Sequence, residues 1–211
     1  SGSGDVFLSD NKSVNIDTGT GGGNSVRALT LTQTASGENI AVSTVGISAT
    51  NKVLLTGAAG QNTSIDLEGN IATVGAQTVS LIATGTGAIT ENALGLGTGT
   101  VTAGTVNLNT EGGNIGASGN QILTNTANLN LAANSTGNVF VNDSSTVSVK
   151  TGSGLAGSVA DLTVTETGAS KVLSAITDIN STGNVILQAA AGSNSGINID
   201  GNVNTTASKQ I

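Results

Sequence analysis

The chain has 211 residues, a formal net charge of -7, 31 glycines, no Pro, Cys, Met, Trp, Tyr or His, and only two aromatics, Phe7 and Phe140. Without Cys or His there is no disulfide, thiol nucleophile, Cys/His metal site or imidazole base. Six basic residues argue against a nucleic-acid groove, and no apolar run is long enough for a membrane-spanning helix. Disordered chains combine low hydropathy with high charge. Here charged residues are 9% and mean hydropathy is +0.16.

Alternation of period two recurs in short bursts along the chain. In order they are Val14-Asn15-Ile16, Leu29-Thr30-Leu31, Ile65-Asp66-Leu67, Val106-Asn107-Leu108 and Leu129-Asn130-Leu131, then Val139-Phe140-Val141, Val147-Ser148-Val149, Leu162-Thr163-Val164 and Ile197-Asn198-Ile199. Successive side chains of a strand face opposite sides, so each burst reads as a strand with one apolar face. Gly-, Ser- and Asn-rich stretches between them are turn signals. Helix competes best from Ser170 to Ile179, where Val172, Ile176 and Ile179 keep an i, i+4, i+7 spacing.

Two markers set a longer period. One is a Leu or Val in an alternating burst: Leu8, Leu31, Leu55, Leu81, Leu108, Leu131, Val164 and Leu187. Most steps are 23 to 27 residues, and the one from Leu131 to Val164 is 33. It contains positions 143–161, expected to form an insertion or enlarged turn. The other marker is Gly-Asn-(Ile/Val), beginning at Gly69, Gly113, Gly137 and Gly183, with an out-of-step copy at Gly201. A fixed period in this range is a solenoid signature. The prediction is an all-β, single-stranded parallel β-helix, one domain over 1–211, with about nine turns of roughly 23 residues. Pro is absent because it cannot donate to a continuous ladder. Asn suits the corners and can stack on its equivalent one turn away. A β-sandwich is the competing arrangement; the two markers and the lack of aromatics and Pro favour the solenoid.

The runs TVNLNTEGGNI (Thr105 to Ile115) and ANLNLAANSTGNV (Ala127 to Val139) resemble the repeats of filamentous haemagglutinin-type bacterial exoproteins. Large autotransporter adhesins carry similar shafts. The resemblance implies a right-handed parallel β-helix, export from a Gram-negative-type cell, and an extracellular or cell-surface role in adhesion or fibre building. The secretion module of that family carries an Asn-Pro-Asn-type motif. With no Pro, this chain reads as shaft alone.

Catalytic and ligand chemistry is sparse. Asp66 and Glu68 are the best local carboxylate pair for glycan hydrolysis, but an inward Leu67 between them predicts both in solvent. Gly112-Gly113-Asn114-Ile115-Gly116 lacks the Asp of a calcium β-roll repeat. Gly85-Thr86-Gly87 and Gly95-Leu96-Gly97 lack the Lys and helix of a phosphate loop. Thr30-Leu31-Thr32, Thr100-Val101-Thr102 and Thr163-Val164-Thr165 suggest an interrupted ice-binding array. No cofactor or metal and no enzymatic activity is expected.

Neither end of the sequence looks like a polar cap. Val6, Phe7 and Leu8 near the start, with Val203 and Ile211 near the finish, are the candidate end-to-end contacts. Phe140 marks either a wide turn or, if outward, a lateral contact. The expected role is a structural building block of an extracellular bacterial fibre or adhesin shaft. Its partners would be copies of itself head to tail or the rest of a longer shaft, with a host or cell-surface glycan as a further candidate. No nucleic acid or membrane insertion is expected. A glycan-binding or glycan-cleaving β-helix and an ice-binding solenoid are the alternatives.

Overall fold

The computed structural model describes residues 4–19, 25–93, 95, 98–152, 158–191, 194–206 and 209–211. Among them every regular element is a strand. The first nine are β1 (Asp5–Asp10), β2 (Val14–Ile16), β3 (Val26–Gln33), β4 (Ile40–Val42), β5 (Ile47–Gly57), β6 (Ile65–Leu67), β7 (Ile71–Thr73), β8 (Thr78–Ala83) and β9 (Ile89–Glu91). There follow β10 (Thr100–Thr110), β11 (Ile122–Ala132), β12 (Val139–Asp143), β13 (Val147–Thr151), β14 (Leu162–Glu166) and β15 (Val172–Ala175). The last four are β16 (Ile179–Asn180), β17 (Val185–Gln188), β18 (Gly196–Ile199) and β19 (Val203–Asn204). Every pairing between these strands is parallel and joins elements roughly one turn apart. The fold is a β-solenoid of about eight turns with a repeat of about 24 residues. The segment from Ser170 to Ile179 is strand, not helix, because Leu173 and Ala175 take their places in the stack.

Three columns of strands carry the core. In the first, Val6, Leu29, Val53, Val79, Val106, Leu129 and Val149 stack in register. Ser148 pairs with Ser174, which sets Ala175 next, and Ile199 follows. In the second, Val14, Ile40, Ile65, Ile89, Ile115, Val139, Leu162 and Val185 stack. The Val185 N–H donates to the Gln210 carbonyl at 3.0 Å. Ile89 bonds Asn114 and Ile115 bonds Asn138 in the same way. Ile211 is therefore the ninth rung of this column. The third column runs Ile47, Ile71, Val101, Thr124, Asp143, Glu166. Aliphatic side chains of the inner turns are almost wholly buried. Each covers the one above, so a 24-residue unit too small to bury its own apolar face does so by stacking.

The 33-residue step between Leu131 and Val164 joins different columns. Leu131 pairs with Thr151 in the first column, whereas Val164 lies between Val141 and Leu187. Of the expected irregular turn at 143–161, β13 holds Val147–Thr151 in the regular stack, and 153–157 lie outside the described residues. The Gly-Asn-(Ile/Val) marker likewise serves more than one corner. The copies at Gly113, Gly137 and Gly183 precede the second column, that at Gly69 precedes the third, and that at Gly201 precedes β19. This is why the last copy falls out of step.

A spine of side-chain acceptors runs down the corner before the second column. The N–H of Asn138 donates to Asn114 Oδ1 at 2.9 Å, that of Asp161 to Asn138 Oδ1 at 3.1 Å, and that of Asn184 to Asp161 Oδ1 at 2.7 Å. Gln210 N–H closes on Asn184 Oδ1 at 3.1 Å, and Ser13, Asn39 and Ser64 play the same part higher up. Beside the spine the glycines are obligatory for space. A Cβ on Gly113 would collide with the Gly87 carbonyl, and one on Gly137 with the Gly113 carbonyl.

Two substitutions test this corner. Asn138→Ala removes one acceptor from a backbone donor and should cost about 1 kcal/mol. Gly113→Ala forces two turns apart and should cost about 1–3 kcal/mol, the scale of overpacking. Denaturant unfolding followed by circular dichroism reads both, with the glycine change expected to be the larger.

Candidate functional site at the open ends of the solenoid

The exposed aliphatic residues of the core columns are concentrated at the two ends of the stack. At the first turn β1 pairs with β3 alone and β2 with β4 alone. Val6 and Leu8 share the inward parity of Leu29 and Leu31, yet Val6 is half-buried and Leu8 exposed, because among the described residues no second strand pairs with β1. Phe7 has the opposite parity and is 70% exposed on the outer wall. It flanks the end face and does not line it.

At the other end β18 pairs with β15 alone and β19 with β16 alone. Ile197 and Ile199 continue the columns of Leu173 and Ala175 but are exposed. Val203, below Ile179, is half-buried against the core. Ile211 is 74% exposed. With Val185, Leu187, Ile197 and Ile199 it borders an apolar cavity of about 350 Å³. The structure thus places Val6 and Leu8 at one end and Val203 and Ile211 at the other. Sequence reasoning missed Ile197 and Ile199, although their alternation was plain, because nothing in a repeat marks its last uncovered copy.

Phe140 faces outward between buried Val139 and Val141. It is half-buried, beside Thr163 with Ile186 next in line. That makes a short apolar strip on the wall.

A second set of groups lies inside the stack. Asp66 and Glu68 are not in solvent as expected; they are 6% and 2% exposed. β9 and the chain after it cover Asp66: Ala93 N–H donates to Asp66 Oδ1 at 2.9 Å, and Thr90 Oγ1 donates to the same oxygen at 3.1 Å. Burial pushes the Asp66 carboxyl above its ordinary range, and the neighbouring Glu68 pushes the same way. Glu91, 2% exposed, accepts from the Gly99 N–H while its Oε2 has no hydrogen-bond partner. Burial drives its pKa up to about 8, with Asp66 and Glu68 adding repulsion. Lower in the stack, Asp143 pairs in register with Glu166. Asp143 Oδ2 accepts from Thr124 Oγ1 at 2.6 Å and from Thr126 N–H at 3.1 Å, while Oδ1 accepts from Ser145 N–H at 2.7 Å. Burial outweighs these bonds and raises it to about 6. The parity signal was available: Glu91 follows inward Ile89, Asp143 follows inward Val141, and Glu166 follows inward Val164.

The remaining motifs do not converge. Thr30 and Thr32 lie in the first column, Thr163 and Thr165 elsewhere on the wall below Phe140 and Asn142, and Thr100 and Thr102 against Leu123 and Asn125. The three pairs do not stack into one array. Gly85 N–H already donates to Glu111 Oε2 at 2.6 Å. Of Gly95-Leu96-Gly97, positions 96 and 97 lie outside the described residues. Among the described residues no three Asp or Glu side chains are grouped to hold a metal ion. The chain matches no family model, no curated protein and no solved structure.

The raised acid at Glu91 makes a stability prediction. Its folded state holds a proton that the unfolded chain, with an ordinary Glu, releases near pH 4.5. Its contribution is fully present below that pH, declines as pH rises, and is gone above about 8. Glu91→Gln should flatten the fall in unfolding midpoint between pH 4.5 and 8 and raise the midpoint at pH 8. An unchanged profile would remove Glu91 as the titrating group.

Proposed function

We propose that this chain is a structural β-solenoid element of an extracellular bacterial fibre or adhesin shaft. It is non-enzymatic and stacks end to end, on copies of itself or on further turns of a longer shaft. One observation carries the reading: two of the aliphatic columns run the length of the described stack and are uncovered at its ends, with Leu8 on one side and Ile197 and Ile199 on the other. Exposed strand edges beside such a surface form a template for further strands. The mechanism is mechanical. Successive turns are bonded along two columns throughout and along a third from Ile47 to Glu166, so load applied along the axis is shared by many parallel bonds.

The extracellular setting and the adhesin shaft are supported by the resemblance of the repeats to exoprotein shafts. Asp66 and Glu68, the carboxyl pair singled out for glycan cleavage, are buried, and Asp66 already accepts hydrogen bonds from Ala93 and Thr90. That supports the structural reading over a glycan-cleaving one. Glycan contact on the wall remains compatible with a shaft, and Phe140 is the residue on which it would be sought.

Purified protein should form filaments about one solenoid wide, visible by negative-stain electron microscopy and by sedimentation. Ile197→Asp combined with Ile199→Asp should abolish them while leaving the strand signal in circular dichroism. Folded wild-type protein that stays monomeric at high concentration would overturn the end-to-end part of the reading.

A further inference from the structure

Inside the stack, one inner column changes chemistry part-way along. It runs Ile16, Val42 and Leu67, and its next rung is Glu91. An aliphatic side chain there would extend the dry core. Instead a carboxyl lies buried, with Oε1 accepting from the Gly99 N–H and Oε2 without a donor. The Leu123 N–H also faces this carboxyl. Asp66 repeats the pattern: Oδ1 takes the Ala93 N–H and Thr90 Oγ1, while Oδ2, also buried, meets no donor. The neighbour that hydrogen-bonds to the Asp66 side chain is Glu68. Two carboxyls bond one another only with a proton between them. A proton on Asp66 Oδ2, donated to Glu68, accounts for the oxygen that finds no donor.

The surroundings offer these acids little but each other. The acids acting on Glu91 are Asp66 and Glu68, and the acid acting on Asp66 is Glu68. The strands packed about them, β4, β8, β10 and β11, carry no charged or titratable residue, nor does the chain from Gly116 to Gln121. Further up the same corner, Asp17 is bonded to Ser43 Oγ. Among the described residues the only ion pair, Arg27 with Asp5, lies in the first two turns. Water has a route in: a cavity of about 240 Å³ borders Ser64, Asp66 and Thr90, and one of about 140 Å³ borders Glu91, Gly116 and Asn120. We propose that Asp66, Glu68 and Glu91 form a proton-held lock part-way along the solenoid. Protonated, they hold Ala93 and Gly99 to the stack. On losing their protons they repel one another, water enters through the two cavities, and this corner loosens while the first column, β5 on β8 on β10, stays bonded. The lock does not depend on end-to-end assembly.

The sign follows from burial, which raises both Asp66 and Glu91, the latter to about 8. The closed corner keeps protons that the opened one, with an ordinary Glu91, releases near pH 4.5. It is therefore tightest below that pH, weakens as pH rises, and is loosest above about 8. Amide hydrogen exchange, read by nuclear magnetic resonance and corrected for base catalysis, tests this residue by residue. Between pH 4.5 and 8 protection at Ala93 and Gly99 should fall by up to about tenfold per pH unit for each proton released. Asn138, whose N–H is held by the uncharged Asn114 side chain, should show no such fall. Glu91→Gln should make the fall at Ala93 shallower. Glu91→Leu, which continues the column of Leu67, should do the same if the amide variant folds poorly. No fall at Ala93 and Gly99, an equal fall at Asn138, or a fall at Ala93 unchanged in a folded Glu91 variant would each overturn the lock.

Discussion

Each strand of this chain finds its hydrogen-bonding partner roughly one turn of the backbone away, in parallel and almost always in the same residue phase. That inter-turn registration is the constraint on which the other features depend. It puts Leu over Leu and Ile over Ile, so columns of aliphatic side chains replace the aromatic-rich centre of an ordinary domain. It also fixes the corners. Where one turn passes closely over another, a Cβ has no room, and Gly87, Gly113 and Gly137 stand in line. Where a backbone N–H would be left open at the bend, the Asn or Asp of the neighbouring turn accepts it.

The same registration explains how buried carboxyls are tolerated. Glu91, Asp143 and Glu166 occupy inward positions of alternating strands. For Glu91 and Asp143 the cost is reduced by protonation and by N–H and hydroxyl donors. Glu166 is the rung next to Asp143, and its charge pushes the Asp143 carboxyl in the sense that burial already favours. These groups are part of the stack, and the titration of Glu91 and Asp143 bears on its stability.

A solenoid built in this way has two kinds of surface. Its wall is polar, with Asn107 and Asn130 bonded side chain to side chain at 2.6 Å and Ser80 extending the row. Its ends are cross-sections of the core. The functional reading follows from that contrast: the core columns are exposed where they stop, while the exposed apolar residues elsewhere, Val45, Val74, Ile176 and the Phe140 strip, lie outside those columns.

Much of this was legible in the sequence because period two and a repeat near 24 residues are one-dimensional signals. The bursts at Val14, Ile65, Val106, Leu162 and Ile197 became strands, and Asn107 meets Asn130 one turn away as expected of stacked Asn. The irregular spacings were not legible. Leu131 and Val164 look equivalent along the chain yet sit in different columns, and the Gly-Asn copy at Gly201 serves a different corner. Asp66 and Glu68 have the outward parity of solvated acids yet both are buried, Asp66 beneath the chain that folds over it at Ala93. The sequence by itself determined that turns would stack, since periodicity is a property of the chain alone. Only the tertiary structure decided which repeats share a column and which side chains are left uncovered, because both depend on what the next turn places above each residue.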